Sequence, residues 1–260
     1  MGGTPGWNGA RTRGVWPAMC KGQGMSSSQM PMFSTRGPRG ETAQGSPAIR
    51  PRWGWVIGGF LAALAIGVLY AYLVRASGDW NTGLPWERAL MLRVDTRLPH
   101  PIDALMLSVP WTATNLTLAP LIILAAAWLH FRTRRSDIAV YLLVVQLGCF
   151  ALNFLLKFAF ARERPALWEK RGQFAFASFP SGHAISTTAL LVTIAVLVHR
   201  ERGWRWPYWI VAAISIITLW SRLYLGVHWP TDVIAGGVVG LVWLAATLVA
   251  FRRRALGTGD

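Results

Sequence analysis

Six apolar stretches recur along this chain, near 53–74, 113–131, 138–160, 184–199, 207–221 and 233–251. Crossing about 30 Å of hydrocarbon as a helix takes about 20 predominantly apolar residues. The stretches therefore predict an all-α integral membrane bundle of about six transmembrane helices. The fourth and fifth are short for a full span and are expected to extend into flanking polar residues or to line the protein interior. Composition agrees: 53% of the residues are hydrophobic and only 14% charged, too apolar for an ordinary soluble domain. The formal charge of +15 would suggest nucleic acid in a soluble protein. Here the arginines gather at the ends of apolar runs, where a bilayer explains them, and no nucleic-acid partner is expected.

Residues 1–52 are rich in Gly, Pro, Ser and Arg and lack apolar periodicity, which predicts a disordered basic arm. The apolar run opening near Trp53 is too long for a signal-peptide core and is expected to remain as the first span. A later start at Met30 or Met32 stays open. The membrane domain is expected over 53–251, followed by a short basic tail over 252–260. Between 76 and 112, Pro85, Pro99, Pro101 and Pro110 interrupt mixed charges, and Ile102–Val109 is too short to span; a surface or interfacial helix is expected there. The two cysteines, Cys20 in the polar arm and Cys149 in an apolar run, make neither a disulfide framework nor a metal site.

Arginine clusters at Arg50 and Arg52, at Arg132, Arg134 and Arg135, at Arg200, Arg202 and Arg205, and at Arg252–Arg254 fall on alternate sides of successive spans. The positive-inside rule puts all four in the cytoplasm, with both termini. Left on the periplasmic or extracellular side are 75–112, the stretch from Arg162 to Gly182, and the turn from Arg222 to Asp232. The reading is a multi-pass protein of the plasma membrane.

Two of those outer segments hold the residues that carry chemistry. Lys157, Arg164 and Pro165 form K-x6-RP. A cation near the end of an apolar helix costs about 2.5–3.5 kcal/mol unless compensated. A lysine snorkelling to the interface is the plain alternative, weakened because the chain has only Lys21, Lys157 and Lys170 among many arginines. Pro180-Ser181-Gly182-His183 stands directly before a helix, where Ser181 can cap and Gly182 lets the backbone approach an anion; a capped loop with an incidental histidine is the alternative. Ser221-Arg222, His228 and Asp232 form SR-x5-H-x3-D, a spacing expected by chance about once in a thousand chains of this length. A histidine–aspartate pair that merely fixes a helix end is the alternative here. All three constellations fall on one expected side of the membrane. Three cations, a glycine turn at a helix start, two histidines and a carboxylate are what phosphoryl transfer without a metal needs.

K-x6-RP, PSGH and SR-x5-H-x3-D together resemble the type 2 phosphatidic acid phosphatase (PAP2) superfamily, with every motif position filled, over about residues 53–251. The resemblance implies a PAP2-like bundle with its site just below the outer interface. It also implies roles: His228 as the nucleophile forming a phosphohistidine, Asp232 holding its other ring nitrogen, and His183 as the acid for the leaving group, later the base toward water. Lys157, Arg164, Ser181, Gly182 and Arg222 are similar to the family's phosphate-binding set. Neither a cofactor nor a metal is expected. The substrate implied is a lipid phosphate or diphosphate from the bilayer, with undecaprenyl diphosphate, phosphatidate and phosphatidylglycerophosphate as candidates. A phosphotransferase on the same site, a vanadium-dependent haloperoxidase chemistry disfavoured by the spans, and a non-catalytic lipid-binding membrane protein are the rivals.

Arg162, Glu163, Glu169, Lys170 and Arg171 read as a solvated charged loop. His100, His130 and His199 read as interfacial. The tryptophans, including Trp53, Trp55, Trp204, Trp206, Trp209 and Trp229, read as an aromatic belt.

Overall fold

The computed structural model describes residues 51–95, 102–109, 111, 114–168 and 177–251. Among these, every regular element is helical: α1 (Trp53–Ala76), α2 (Pro85–Asp95), α3 (Asp103–Ser108), α4 (Asn115–Phe131), α5 (Ser136–Phe160), α6 (Gly182–Ser186), a π-helical turn (Thr187–Leu191), α7 (Val192–Arg202), α8 (Trp206–Tyr224) and α9 (Pro230–Ala250). The six apolar stretches are α1, α4, α5, the continuous rod from α6 through α7, α8 and α9. Among the described residues, four helices are long and apolar enough to cross a membrane: Trp53–Ala76, Ser136–Phe160, Gly182–Arg202 and Pro230–Ala250; Thr117–Phe131 is a shorter apolar helix. The two short stretches do grow at their ends. The fourth runs from Gly182 to Arg202, and the fifth from Trp206 to Tyr224, taking in Arg222. Apart from Pro51 and Arg52, the arm expected over 1–52 lies outside the described residues, as do the tail over 252–260, His100, Glu169, Lys170 and Arg171.

The helices meet through glycines. A Cβ on Gly59 would lie 2.0 Å from Ala246 Cβ, and one on Gly67 would lie 2.7 Å from Leu156 and 3.1 Å from Val239, so α1 presses against α9 and α5. Trp243 of α9 covers Gly148 of α5, and its indole N–H donates to Val145 O at 3.1 Å. On α9, Gly236-x3-Gly240 takes the α6 backbone, with Ser181 O 2.5 Å and Ile185 O 2.9 Å from where their Cβ atoms would stand. Small residues four apart are how helices approach closely in lipid, where apolar burial gives little drive for association. Outward faces carry large apolar side chains such as Phe158, 82% exposed.

Two ties define one end of the bundle. The Arg52 N–H donates to Ala250 O at 3.1 Å, joining the start of α1 to the end of α9. Arg135 grips Glu201 at 2.7 and 3.0 Å, joining the α4–α5 and α7–α8 turns. The end of α5, the start of α6, the end of α8 and the start of α9 gather at the other end.

That second end is covered by α2 and α3. The expected interfacial segment Ile102–Val109 contains α3, which packs with α2 against the end of α8: Val94, Met106, Tyr224, Leu225 and Val227 form one buried cluster, and Tyr224 Oη donates to Asp103 Oδ1. Helix α2 itself was not expected. Its start is marked by Pro85 in the first turn and by Glu87, whose carboxylate reaches back to the Leu84 N–H at 2.8 Å, half of a capping box.

The aromatic-belt reading needs one correction. Trp53, Trp55, Trp204, Trp206 and Trp209 are exposed, but Trp229 is 1% exposed, with its indole N–H donating to Glu163 O at 3.1 Å. It lies between His228 and the start of α9, so it is held in the interior whatever its affinity for interfaces.

Candidate active site

Lys157 lies in the last turn of α5, where its ammonium donates to the carbonyls of Ala177 and, at 3.3 Å, Ser178. The helix stops at Ala161, which takes a left-handed conformation (φ 42°), and the chain then turns inward. Arg162 O accepts from the Ser178 N–H at 2.7 Å, fixing the strap that leads to the PSGH segment. Arg164 follows, its guanidinium donating to Val227 O at 2.6 Å. The x6 spacing thus places a lysine before the helix stop, bound to the segment that carries Ser178, and an arginine after it, bound to the segment that carries His228.

Ser181 occupies the N-cap position of the rod that begins at Gly182, but its side chain makes no capping hydrogen bond, contrary to expectation. Its N–H donates to Asp232 O at 3.0 Å, while its hydroxyl is buried without a partner among the described residues. Gly182 has no room for a side chain, since a Cβ would lie 2.9 Å from Asn153 Oδ1. One residue later, His183 Nε2 stands 3.5 Å from Arg222 Nη1. The π-helical turn follows within four residues, a feature often found beside functional sites.

Arg222 ends α8 fully buried. Gly226 then adopts φ +65°, and its N–H and that of Val227 cap the last carbonyls of the helix at 3.0 and 3.1 Å. A side chain there would be strained and would strike the Trp168 ring. This tight stop delivers His228, 3% exposed, to the interior. Pro230 opens α9, and Asp232 in its first turn accepts the Trp229 N–H at 2.9 Å.

His228 Nδ1 lies 3.7 Å from Asp232 Oδ2. Between them stands a group the sequence reading did not include: Ser178 Oγ is 3.5 Å from His228 Nδ1 and donates to Asp232 Oδ2. The expected histidine–aspartate contact is therefore a triangle closed by a hydroxyl. Burial, and then the cations Arg164, Lys157 and Arg222, push the His228 imidazole well below the ordinary histidine range, opposed by the Ser178 backbone. The three expected phosphate-binding cations thus converge electrostatically on one ring. Burial also lowers Arg164, opposed by the charge of Asp232.

The solvated-loop reading fails for Arg162, which is fully buried. Its guanidinium donates to Asp232 Oδ1 and Thr231 Oγ1, each at 2.7 Å, to Glu87 Oε2 at 3.0 Å and to Trp80 O at 2.7 Å. Charged residues in a loop look hydrated when their partners are not visible nearby, and these partners lie in α2, α9 and the α1–α2 connection. Glu163, by contrast, is exposed as expected.

Residues 138–255 match the PAP2 superfamily. The phosphatidylglycerophosphatase B of Bacillus subtilis is 30% identical over 146 residues, covering 54% of this chain and 71% of that one. The chain belongs to the PAP2 superfamily. A second relative, undecaprenyl-diphosphatase BcrC of B. subtilis, is 30% identical over 125 residues, 46% of this chain; the match spans only about three fifths of that protein, 62% of its length. In fold, the chain resembles the crystal structure of a transmembrane PAP2-type phosphatidylglycerolphosphate phosphatase from B. subtilis, with a TM-score of 0.61, 22% identity, and coverage of 77% of this chain and 98% of that one. With its apolar helices of membrane-crossing length, this PAP2 chain is a membrane protein. The candidate site residues, separated by up to 75 positions in sequence from Lys157 to Asp232, gather at one end of the bundle. Glu87, Ser178 and Thr231 were not singled out in the sequence, and Arg162 was read there as part of a solvated loop. The signals available were the cap at Pro85 and Glu87, and the adjacency of Thr231 to Asp232.

Proposed function

We propose that this PAP2 chain hydrolyses the phosphate of a membrane lipid phosphate or diphosphate through a phosphohistidine on His228. The observation that carries the reading is the buried His228 ring, with the Asp232 carboxylate and the Ser178 hydroxyl on its Nδ1 side and Arg164 bound to the carbonyl of the preceding Val227. With carboxylate and hydroxyl oxygens at Nδ1, the ring proton belongs there, which leaves the Nε2 lone pair for phosphorus. The three cations and the N-terminus of the Gly182–Arg202 rod bind the phosphoryl oxygens and balance the charge of the transition state. Nε2 forms the bond to phosphorus as the ester or anhydride oxygen leaves, and His183, beside Arg222, gives that oxygen its proton. Water then attacks the phosphohistidine, His183 takes the water's proton, and inorganic phosphate departs with His228 neutral again.

The named activities of the relatives, on undecaprenyl diphosphate and phosphatidylglycerophosphate, mark the substrate class to test first; phosphatidate is the third candidate. The described arginine clusters gather at the end opposite the site, so the positive-inside rule puts the chemistry on the periplasmic or extracellular face and the termini in the cytoplasm. The membrane domain is taken as 53–251, with the basic arm and tail outside it.

Purified protein should release inorganic phosphate from at least one of these lipids in the presence of a chelator, and His228→Ala should abolish release without loss of the folded bundle. Wild-type inactivity across the panel, with retained lipid binding, would instead favour the non-catalytic binder.

A further inference from the structure

Glu87, Arg162, Thr231 and Asp232 form a closed polar cluster behind His228. Arg162, Glu87 and Asp232 are each 0% exposed and Thr231 is 3% exposed. Glu87 Oε1 accepts the Thr231 N–H at 3.0 Å and its hydroxyl at 2.6 Å, while Oε2 accepts Arg162 Nη2 at 3.0 Å and the Leu84 N–H at 2.8 Å. The Thr231 oxygen in turn accepts Arg162 Nη1 at 2.7 Å. Trp80 and Trp229 lie against the guanidinium, their ring centroids 4.7 and 5.5 Å away. Burying an ion triad is poor value as a source of stability, because well-packed apolar residues of similar volume often serve as well or better. What this triad does is divide the two oxygens of Asp232. Oδ1 goes to Arg162 at 2.7 Å, and Oδ2 is left for Ser178, for the Trp229 N–H at 2.9 Å and for the Nδ1 side of His228.

Charge gives the second half. An arginine alone on Asp232 would compensate the carboxylate and weaken its pull on the imidazole. Glu87 holds the other edge of the guanidinium and compensates it in turn, so two carboxylates surround one arginine. Asp232 keeps negative charge to turn toward His228.

We propose that Glu87 and Arg162 are positioning residues for catalysis, a buried clamp reaching from α2 that fixes the Asp232 carboxylate so that Oδ2 faces His228 and keeps its charge. The inference rests on His228 being the nucleophile of a lipid phosphatase. Neither residue touches the substrate; both act through Asp232.

The test uses the purified full chain in detergent, with Arg162→Lys, Glu87→Gln and Thr231→Val, each alone and combined with Asp232→Asn. Arg162→Lys and Glu87→Gln should each lower kcat about 100-fold, the scale of loss for a misplaced catalytic group. KM and the affinity for inorganic phosphate should stay within about threefold, because the cations that bind the anion are untouched. In the Asp232→Asn background the same changes should lower residual kcat by less than about threefold, since groups acting through one residue do not add. Thr231→Val removes the bridging hydroxyl without altering charge and should show the same pattern at about tenfold, so it carries the test if either charge variant fails to fold. Full additivity with Asp232→Asn, unchanged kcat, or loss confined to KM overturns the clamp while leaving the phosphatase reading standing. A wild type that releases no phosphate overturns both.

Discussion

In the proposed mechanism His228 must attack phosphorus without its second proton, and the cations proposed to steady the phosphate also help to keep the ring unprotonated. Burial acts first, then Arg164, Lys157 and Arg222, all depressing the imidazole. The acid limb of kcat/KM, which reports the free enzyme, should therefore fall below the ordinary histidine value of about 6.5 once substrate ionisation is accounted for. An acid limb at or above that value would contradict the environment described for the ring. Stability has a matching sign. Between the folded and unfolded values the unfolded chain binds more protons at this site, so the His228 contribution rises with pH across that window and is lost as pH falls from about 6.5 toward the folded value. Thermal melting of the detergent-solubilised chain over that range checks it. Much of the candidate site was legible at this scale because the residues proposed for phosphoryl chemistry are distinctive in type: a rare lysine, two histidines, and arginines beside helix ends. Ser178 was not legible, since a serine among Ala177 and Phe179 carries no sign that its hydroxyl will sit between His228 and Asp232. Arg162 looked solvated because its partners Glu87 and Asp232 stand 75 positions before it and 70 after it.

The apolar stretches mark the long helices, but the contacts between those helices depend on glycines whose meaning appears only in three dimensions. Gly236 and Gly237 are neighbours in α9 with opposite circumstances: a Cβ on Gly236 would meet Ser181 O at 2.5 Å, whereas one on Gly237 would meet nothing within 4 Å. Gly236→Ala should push α6 away from α9 at a cost of about 1–3 kcal/mol, the usual range for overpacking, and should weaken inorganic phosphate binding by displacing the Ser181–Gly182 turn. Gly237→Ala should be neutral or slightly stabilising, because alanine is the better helix former. Melting temperature and phosphate affinity, measured for both variants, separate the two positions; equal effects would mean that the close α6–α9 approach does not hold the site. Helix α2 escaped sequence reading for a related reason. Its eleven residues mix charge with apolar groups, and its most informative residue, Glu87, both caps the helix and faces the buried arginine.

Over the whole molecule, the described arginine-rich turns lie at one end and the candidate site at the other, so membrane orientation is a single binary question. With both native cysteines replaced by serine, Asp79→Cys and Thr82→Cys at the site end should react with a membrane-impermeant maleimide in intact cells, and Arg134→Cys should react only after permeabilisation. The reverse pattern would put the chemistry in the cytoplasm. The bundle also explains why these residues keep their relative places. Helix α9 is flanked by α1, by α5 and by the α6 rod, with glycines at each of the three seams, and Asp232 sits in its first turn. A post wedged from three directions has little freedom to lean toward its cargo. For the lipid phosphatase proposed above, the headgroup therefore has to do the travelling, and selection among lipids falls to whatever it meets on the way in.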